Sequence, residues 1–250
     1  MSGSTLMSYL DTTSIRALGL TALAAVFGLH CATTVPGPKT EAEPGESDSA
    51  WTVPAEALGT QRLFRVRYEG QDGRGGMKLV LRLSSESRFE VLTSDALGRP
   101  LWSLQTSEME TLLIDHRAKV FCRASEVRLP DPVLAAMPWQ SLPRVLLGYL
   151  PTKPARIERR TTDEIDFRGE DGRRWTSRLA TGQPSSWVLW EEDRPVLWWS
   201  RQGEGGMVSH RQGIQIKWRE IVSEPLLDPV AELQIPSGYQ VSECNANDLP

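Results

Sequence analysis

The sequence predicts a mainly β fold, an antiparallel meander with a few short helices. Three observations carry this. Apolar and polar residues alternate in period two through many short runs. Clusters of Gly, Asp, Glu and Pro separate those runs at hairpin distances. A helical spacing appears once, at residues 130–150, so the strand–helix–strand alternation of a parallel sheet is missing.

In chain order, Phe64, Val66 and Tyr68 alternate with Arg65 and Arg67, and Met77, Leu79, Leu81 and Leu83 alternate with Lys78, Val80 and Arg82. Between them Gly70–Gly76 supplies the positive φ of a hairpin turn; a phosphate loop would need a GK[ST] ending and a following helix, and neither is there. Further strands are expected at Arg88–Thr93, Leu101–Gln105, Thr111–Asp115, Lys119–Arg123, Arg156–Arg160, Ile165–Arg168, Arg174–Leu179, Trp187–Trp190, Val196–Ser200, Met207–His210 and Ile214–Arg219. The turn clusters 95–98, 169–172, 191–195 and 202–206 separate them. At 130–150, Val133, Leu134 and Met137, then Leu142, Val145, Leu146 and Tyr149, recur at helical intervals. Pro138 and Pro143 bound the second piece, which gives two short helices crossing one face of the sheet. Arg156–Arg160 reads as a basic edge strand. Gly-Gly-Met occurs at Gly75–Met77 and again at Gly205–Met207, which two hairpin turns explain as well as a duplication.

Composition narrows the class. The chain has 250 residues, 40% of them hydrophobic, with a net charge of -4. That apolar content excludes a chain disordered throughout, and the slightly acidic balance lacks the field that nucleic-acid binding needs. Three histidines and three cysteines show no metal-ligand spacing, and no cofactor is expected.

The first thirty residues read as a secretory signal. Residues 17–29 (ALGLTALAAVFGL) form an uncharged run of 13 residues after Arg16, about 20 Å of helix and too short for a bilayer core of about 30 Å. Cys31 stands where the lipidated cysteine of a bacterial lipoprotein stands; the other reading is an ordinary signal or anchor with an incidental cysteine. From Ala32 onward a Pro-, Gly-, Glu-, Ser- and Thr-rich stretch cannot build a core. The expected organisation is 1–30 signal, 31–57 flexible tether, and 58–250 a single β-rich domain.

Apolar residues on both faces of Trp187–Trp190 and Val196–Trp199 require cover on both sides. Two readings stand: tryptophans that fill an ordinary core under one helix, or a strongly curved sheet around an apolar cavity.

Three stretches resemble the outer-membrane lipoprotein receptor LolB within the LolA/LolB-like superfamily of lipoprotein carriers. They are Met77–Gly98 (strand, polar turn, strand, Leu-Gly loop), Ser141–Pro151 (SLPRVLLGYLP) and Ile214–Ile221 (IQIKWREI). The resemblance implies a half-open β-barrel, a strongly curved antiparallel sheet with a helical lid. It also implies a membrane-anchored lipoprotein whose cavity binds acyl chains during lipoprotein localisation. The expected place is the outer membrane, lipid-anchored and facing the periplasm. The implied partners are an acylated lipoprotein or lipid and a periplasmic LolA-like carrier, with a monomeric chain and no nucleic acid. By position Leu97 is the apolar loop residue that the resemblance implies enters the membrane; the other reading is a buried turn leucine capping the sheet edge. The cavity-lining candidates are Phe64, Val66, Leu79, Leu81, Phe89, Val91, Trp102, Leu146, Trp187 and Trp198. The alternative function is a structural or interaction lipoprotein with a filled core that binds another envelope protein.

No enzyme is expected. A nucleophile elbow G-x-S-x-G is missing, Asp115-His116-Arg117 reads as a turn, and alternation is expected to part Asp163, Glu164 and Asp166. If Cys31 carries lipid, Cys122 and Cys244 are the two thiols left for a disulfide.

Overall fold

The computed structural model describes residues 51–70, 73–108, 110–124, 139–231 and 234–242, all within one compact unit, Glu41–Pro250. The signal, Cys31, most of the tether, the first expected helix and Cys244 lie outside them. The strands of the described residues are β1 (Thr60–Gly70), β2 (Gly73–Leu83), β3 (Phe89–Ser94), β4 (Pro100–Thr106), β5 (Thr111–Asp115), β6 (Val120–Ala124), β7 (Pro154–Arg160), β8 (Glu164–Gly169), β9 (Arg174–Ala180), β10 (Gln183–Glu191), β11 (Arg194–Gln202), β12 (Gly205–His210), β13 (Gln215–Pro225) and β14 (Gln240–Val241). Every expected strand is present; β14, two residues long, left no periodic signal.

All of them join one curved, open sheet in the order β14-β6-β5-β4-β3-β2-β1-β13-β12-β11-β10-β9-β8-β7. Two meanders, β1–β6 and β7–β13, are closed onto each other by the antiparallel β1–β13 pair, while β14 runs parallel to β6. Register shifts at Leu63/Phe64, Leu92/Ser94, Pro184/Ser186 and Leu189/Trp190 mark irregularities that bend and twist the strands. The basic strand β7 is an outer edge, as its composition predicts.

Alternation decides the faces. Phe64, Val66, Leu79, Leu81 and Leu83 are buried, while Arg65, Arg67 and Lys78 point outward. The two Gly-Gly-Met runs are not turns but strand interior. Gly75 faces Tyr68 across β1–β2, and an added Cβ would sit 2.3 Å from the Tyr68 hydroxyl. Gly206 faces Trp218 across β12–β13, where a Cβ would meet the Trp218 ring at 2.6 Å and the Trp199 indole at 2.7 Å. Each glycine makes room for an aromatic from the neighbouring strand.

Residues 51–57, assigned above to the tether, belong to the fold. Trp51, Val53 and Ala57 are buried in the core, with Trp51 edge-on to Phe167 at 5.3 Å. Polar composition ends at Ser49; the apolar Trp51 and Val53 mark where burial begins.

Of the two expected helices, the second is present as a 3-10 turn, Trp139–Ser141, running into α1 (Leu142–Leu146). Pro143 fits the first turn, where an amide hydrogen would find no partner. Gly148 ends the element at φ 83, and its amide donates to the Val145 carbonyl at 3.0 Å. A side chain there would also strike the Arg201 guanidinium at 2.8 Å.

Candidate functional site: an apolar cavity under the helix

α1 is too short to be stable alone, so packing and its attachments must hold it. Leu142, Val145 and Leu146 are all buried. Arg144, buried among them, donates from Nε to the Leu150 carbonyl (2.7 Å), from Nη1 to Glu86 (2.7 Å), and to the Trp51 carbonyl. Burial lowers the pKa of this guanidinium, and the Glu86 carboxylate opposes that shift. Glu86 also accepts from the Val53 amide at 3.3 Å. Trp218 Nε1 donates to the Leu146 carbonyl at 3.1 Å. The helix is thus tied to the chain entry at residues 51–53, to the β2–β3 turn and to β13.

Beneath it lies a cavity of about 30 Å³ lined only by apolar or aromatic residues: Val66, Met77, Leu79, Trp102, Leu142, Val145, Leu146, Val208, Ile216 and Trp218. Val66, Leu79, Trp102 and Leu146 are candidates brought together there. Phe64, Leu81, Phe89, Val91 and Trp187 lie in the core outside this lining, each no more than 1% exposed. Trp198 stands 36% exposed on the outer face. Sequence reasoning left Met77, Leu142, Val145, Val208, Ile216 and Trp218 out of the lining. The signal was present, since Met77 shares parity with Leu79, Ile216 shares it with Trp218, and Leu142 and Val145 share the helical stripe of Leu146.

The tryptophans divide. Trp175, Trp187 and Trp199 are fully buried and pack on one another, Trp175 edge-on to Trp187 at 5.4 Å and Trp187 stacked on Trp199 at 5.9 Å. Their indole Nε1 atoms have no hydrogen-bond partner among the described residues, a cost offset by ring burial and aromatic packing. They fill core. Trp102 and Trp218 line the cavity. Trp190 and Trp198 face outward with Val188.

Leu97 is 80% exposed at the tip of the β3–β4 turn. Asp95 fixes that tip: its Oδ1 accepts from the amides of Leu97 (2.9 Å) and Arg99 (3.0 Å), and its Oδ2 accepts from Arg99 Nε (2.7 Å). Desolvation alone would raise the Asp95 pKa, but these hydrogen bonds together hold it below its ordinary value.

His116 sits between two hydroxyls, Ser103 Oγ at 3.1 Å from Nε2 and Tyr239 at 3.0 Å from Nδ1. Ser103 is 2% exposed, so substrate has no access to it as a nucleophile. Glu164 and Asp166, which alternation was expected to part, are two residues apart and share one face, where Arg159 bridges both. That arrangement is an ion-pair network at the sheet edge. Among the described residues no group of three or more His, Cys, Asp or Glu side chains is placed to hold a metal, and no helix is long and apolar enough to cross a membrane. Cys122 is disulfide-bonded.

No protein-family model matches the sequence, and no curated protein matches it. Among solved structures, a LolA superfamily protein from Nitrosomonas europaea is similar at 9% identity and TM-score 0.48, over 76% of this chain and 92% of that one. An outer membrane lipoprotein-sorting protein domain from Vibrio parahaemolyticus follows at 8% identity and TM-score 0.46, over 72% and 88%. A DUF1329 family protein from Desulfovibrio piger is similar at 8% and TM-score 0.44, over 67% and 85%.

Proposed function

We propose that this chain is a noncatalytic, membrane-anchored carrier or receptor for acyl chains, acting in lipoprotein localisation at the outer membrane. Cys31 would carry the lipid anchor, the tether would hold the domain on the periplasmic side, and Leu97 would enter the headgroup layer. Acylated lipoproteins would be its cargo, passed from a LolA-like periplasmic carrier.

The observation that carries the reading is the wholly apolar cavity beneath a short, tethered helix. At about 30 Å³ it is far below the roughly 300 Å³ or more that a sizeable ligand needs. Binding therefore requires α1 to move. Three of the ten lining residues belong to α1, so lifting it uncovers the rest. Each CH₂ that leaves water for such a site contributes about 0.8 kcal/mol. A carrier of this kind needs no reacting group, only apolar surface that opens and closes.

The test is displacement of a fluorescent fatty acid by unlabelled acyl ligands, comparing the parent with Val145→Trp, which fills the cavity. The parent binds the probe and the variant loses at least tenfold in affinity. Failure of the parent to bind any probe would sink the reading.

A second reading, an envelope interaction protein with a filled core, is favoured by the outward Trp190, Trp198 and Val188. It predicts no acyl binding and loss of a protein partner on Trp198→Ser.

A further inference from the structure

The outer face of β2, β1 and β13 carries a charge pattern that folding does not account for. Register sets Arg65 directly opposite Lys78 on one side and Arg219 on the other, and Arg67 opposite Lys217. All five side chains are exposed, and among the described residues none of them is ion-paired. Like charges directly opposite across a ladder are destabilising, so the strip lowers stability in a chain whose net charge is -4. Beside Arg67, Arg74 and Lys217 the strip deepens into a groove of about 500 Å³ that includes the side-chain-free Gly76 and one carboxylate, Glu69.

The strip leads to the Leu97 turn. Lys78 faces Ser94, the last residue of β3 before that turn. An acidic protein would match the cations but leave the bare Leu97 unused. An anionic bilayer takes both, with cations at the phosphates and an aliphatic tip below them.

We propose that this face docks on the surface of a bilayer rich in anionic phospholipid, with Leu97 entering the headgroup layer. The inference deepens the carrier reading by naming the surface beside which cargo is released, and it rests on that reading for its role.

The full chain carrying Cys31→Ala, which lacks the acylation site, is co-sedimented with vesicles of phosphatidylcholine and with vesicles of equal parts phosphatidylcholine and phosphatidylglycerol. Binding is expected to be tighter on the anionic vesicles and to weaken with added salt. The R67Q/K217Q variant is expected to lose about fivefold per neutralised cation on those vesicles. Both comparisons are differential, so any contribution from residues 17–29 cancels. Removing opposed like charges leaves the melting temperature unchanged or higher, which separates lost docking from lost folding. Equal binding to the two vesicle types, or a variant that binds like its parent, overturns the proposal and favours an acidic protein as the occupant. Fatty-acid probe binding is read on the same samples. Probe binding that persists without charge-dependent docking sinks the docking alone; docking without probe binding sinks the carrier reading alone.

Discussion

At the scale of single residues, His116, held between the Ser103 and Tyr239 hydroxyls, sets a pH dependence of stability. Desolvation lowers its pKa, with the Asp115 charge opposing. The folded state therefore prefers the neutral ring, and the unfolded chain takes up the proton first as pH falls. This contribution to stability is fully present above the ordinary histidine pKa and is lost as pH drops through the lowered one. The melting temperature of the parent should fall between about pH 7 and pH 5 more than that of His116→Gln; equal slopes would show that His116 is not responsible. Tyr239 makes the matter structural, because its hydroxyl on His116 Nδ1 and the β14–β6 pairing hold residues 239–241 onto the sheet.

At the scale of elements, the carrier reading requires α1 to move, and Arg144 ties it to the Leu150 and Trp51 carbonyls and to Glu86. Arg144→Met keeps much of the packing while leaving the Leu150 and Trp51 carbonyls without their donor. A buried polar group left unpaired costs roughly 1–3 kcal/mol, so denaturant unfolding should show a loss of that size. Probe uptake should also become faster in Arg144→Met, because the helix lifts more readily. A variant that is destabilised but takes up probe at the parent rate would dissociate the latch from the entry step. Strand elements were legible because alternation is a local signal: Met77–Leu83 and Ile214–Arg219 declare their buried side, but not their length, since β2 starts earlier, at Gly73, and β13 runs on to Pro225. The cavity was less so. Trp187 and Trp218 have the same inward parity, yet Trp187 is sealed between Trp175 and Trp199 while Trp218 reaches beneath α1. Which inward residue meets a void depends on where the 139–150 segment lies across the sheet, and period two carries no record of that.

At the scale of the molecule, the described fold is one sheet whose two meanders meet at β1–β13. The sequence boundary falls at residue 57 because period-two alternation starts only at about Leu58; three buried side chains between 51 and 57 carry the folded part back to Trp51. The same segment holds α1 in place, through the Trp51 carbonyl on Arg144 and the Val53 amide on Glu86. At the other end of the fold, β14 runs beside β6 with Val241 opposite Phe121. We propose Cys244 as the disulfide partner of Cys122, closing a loop long enough to contribute about 4–5 kcal/mol in the chain-entropy view. Reduction should lower the melting temperature of the parent and leave Cys244→Ser unaffected; an equal response in both would assign the bridge elsewhere. The central claim is that acyl chains enter beneath α1. Native mass spectrometry of the chain purified from the membranes of the cell that makes it addresses that claim most directly. The expected spectrum shows a noncovalent lipid or acyl adduct that organic solvent removes and that Val145→Trp lacks. A spectrum holding only the polypeptide with its covalent modification, in parent and variant alike, would contradict it.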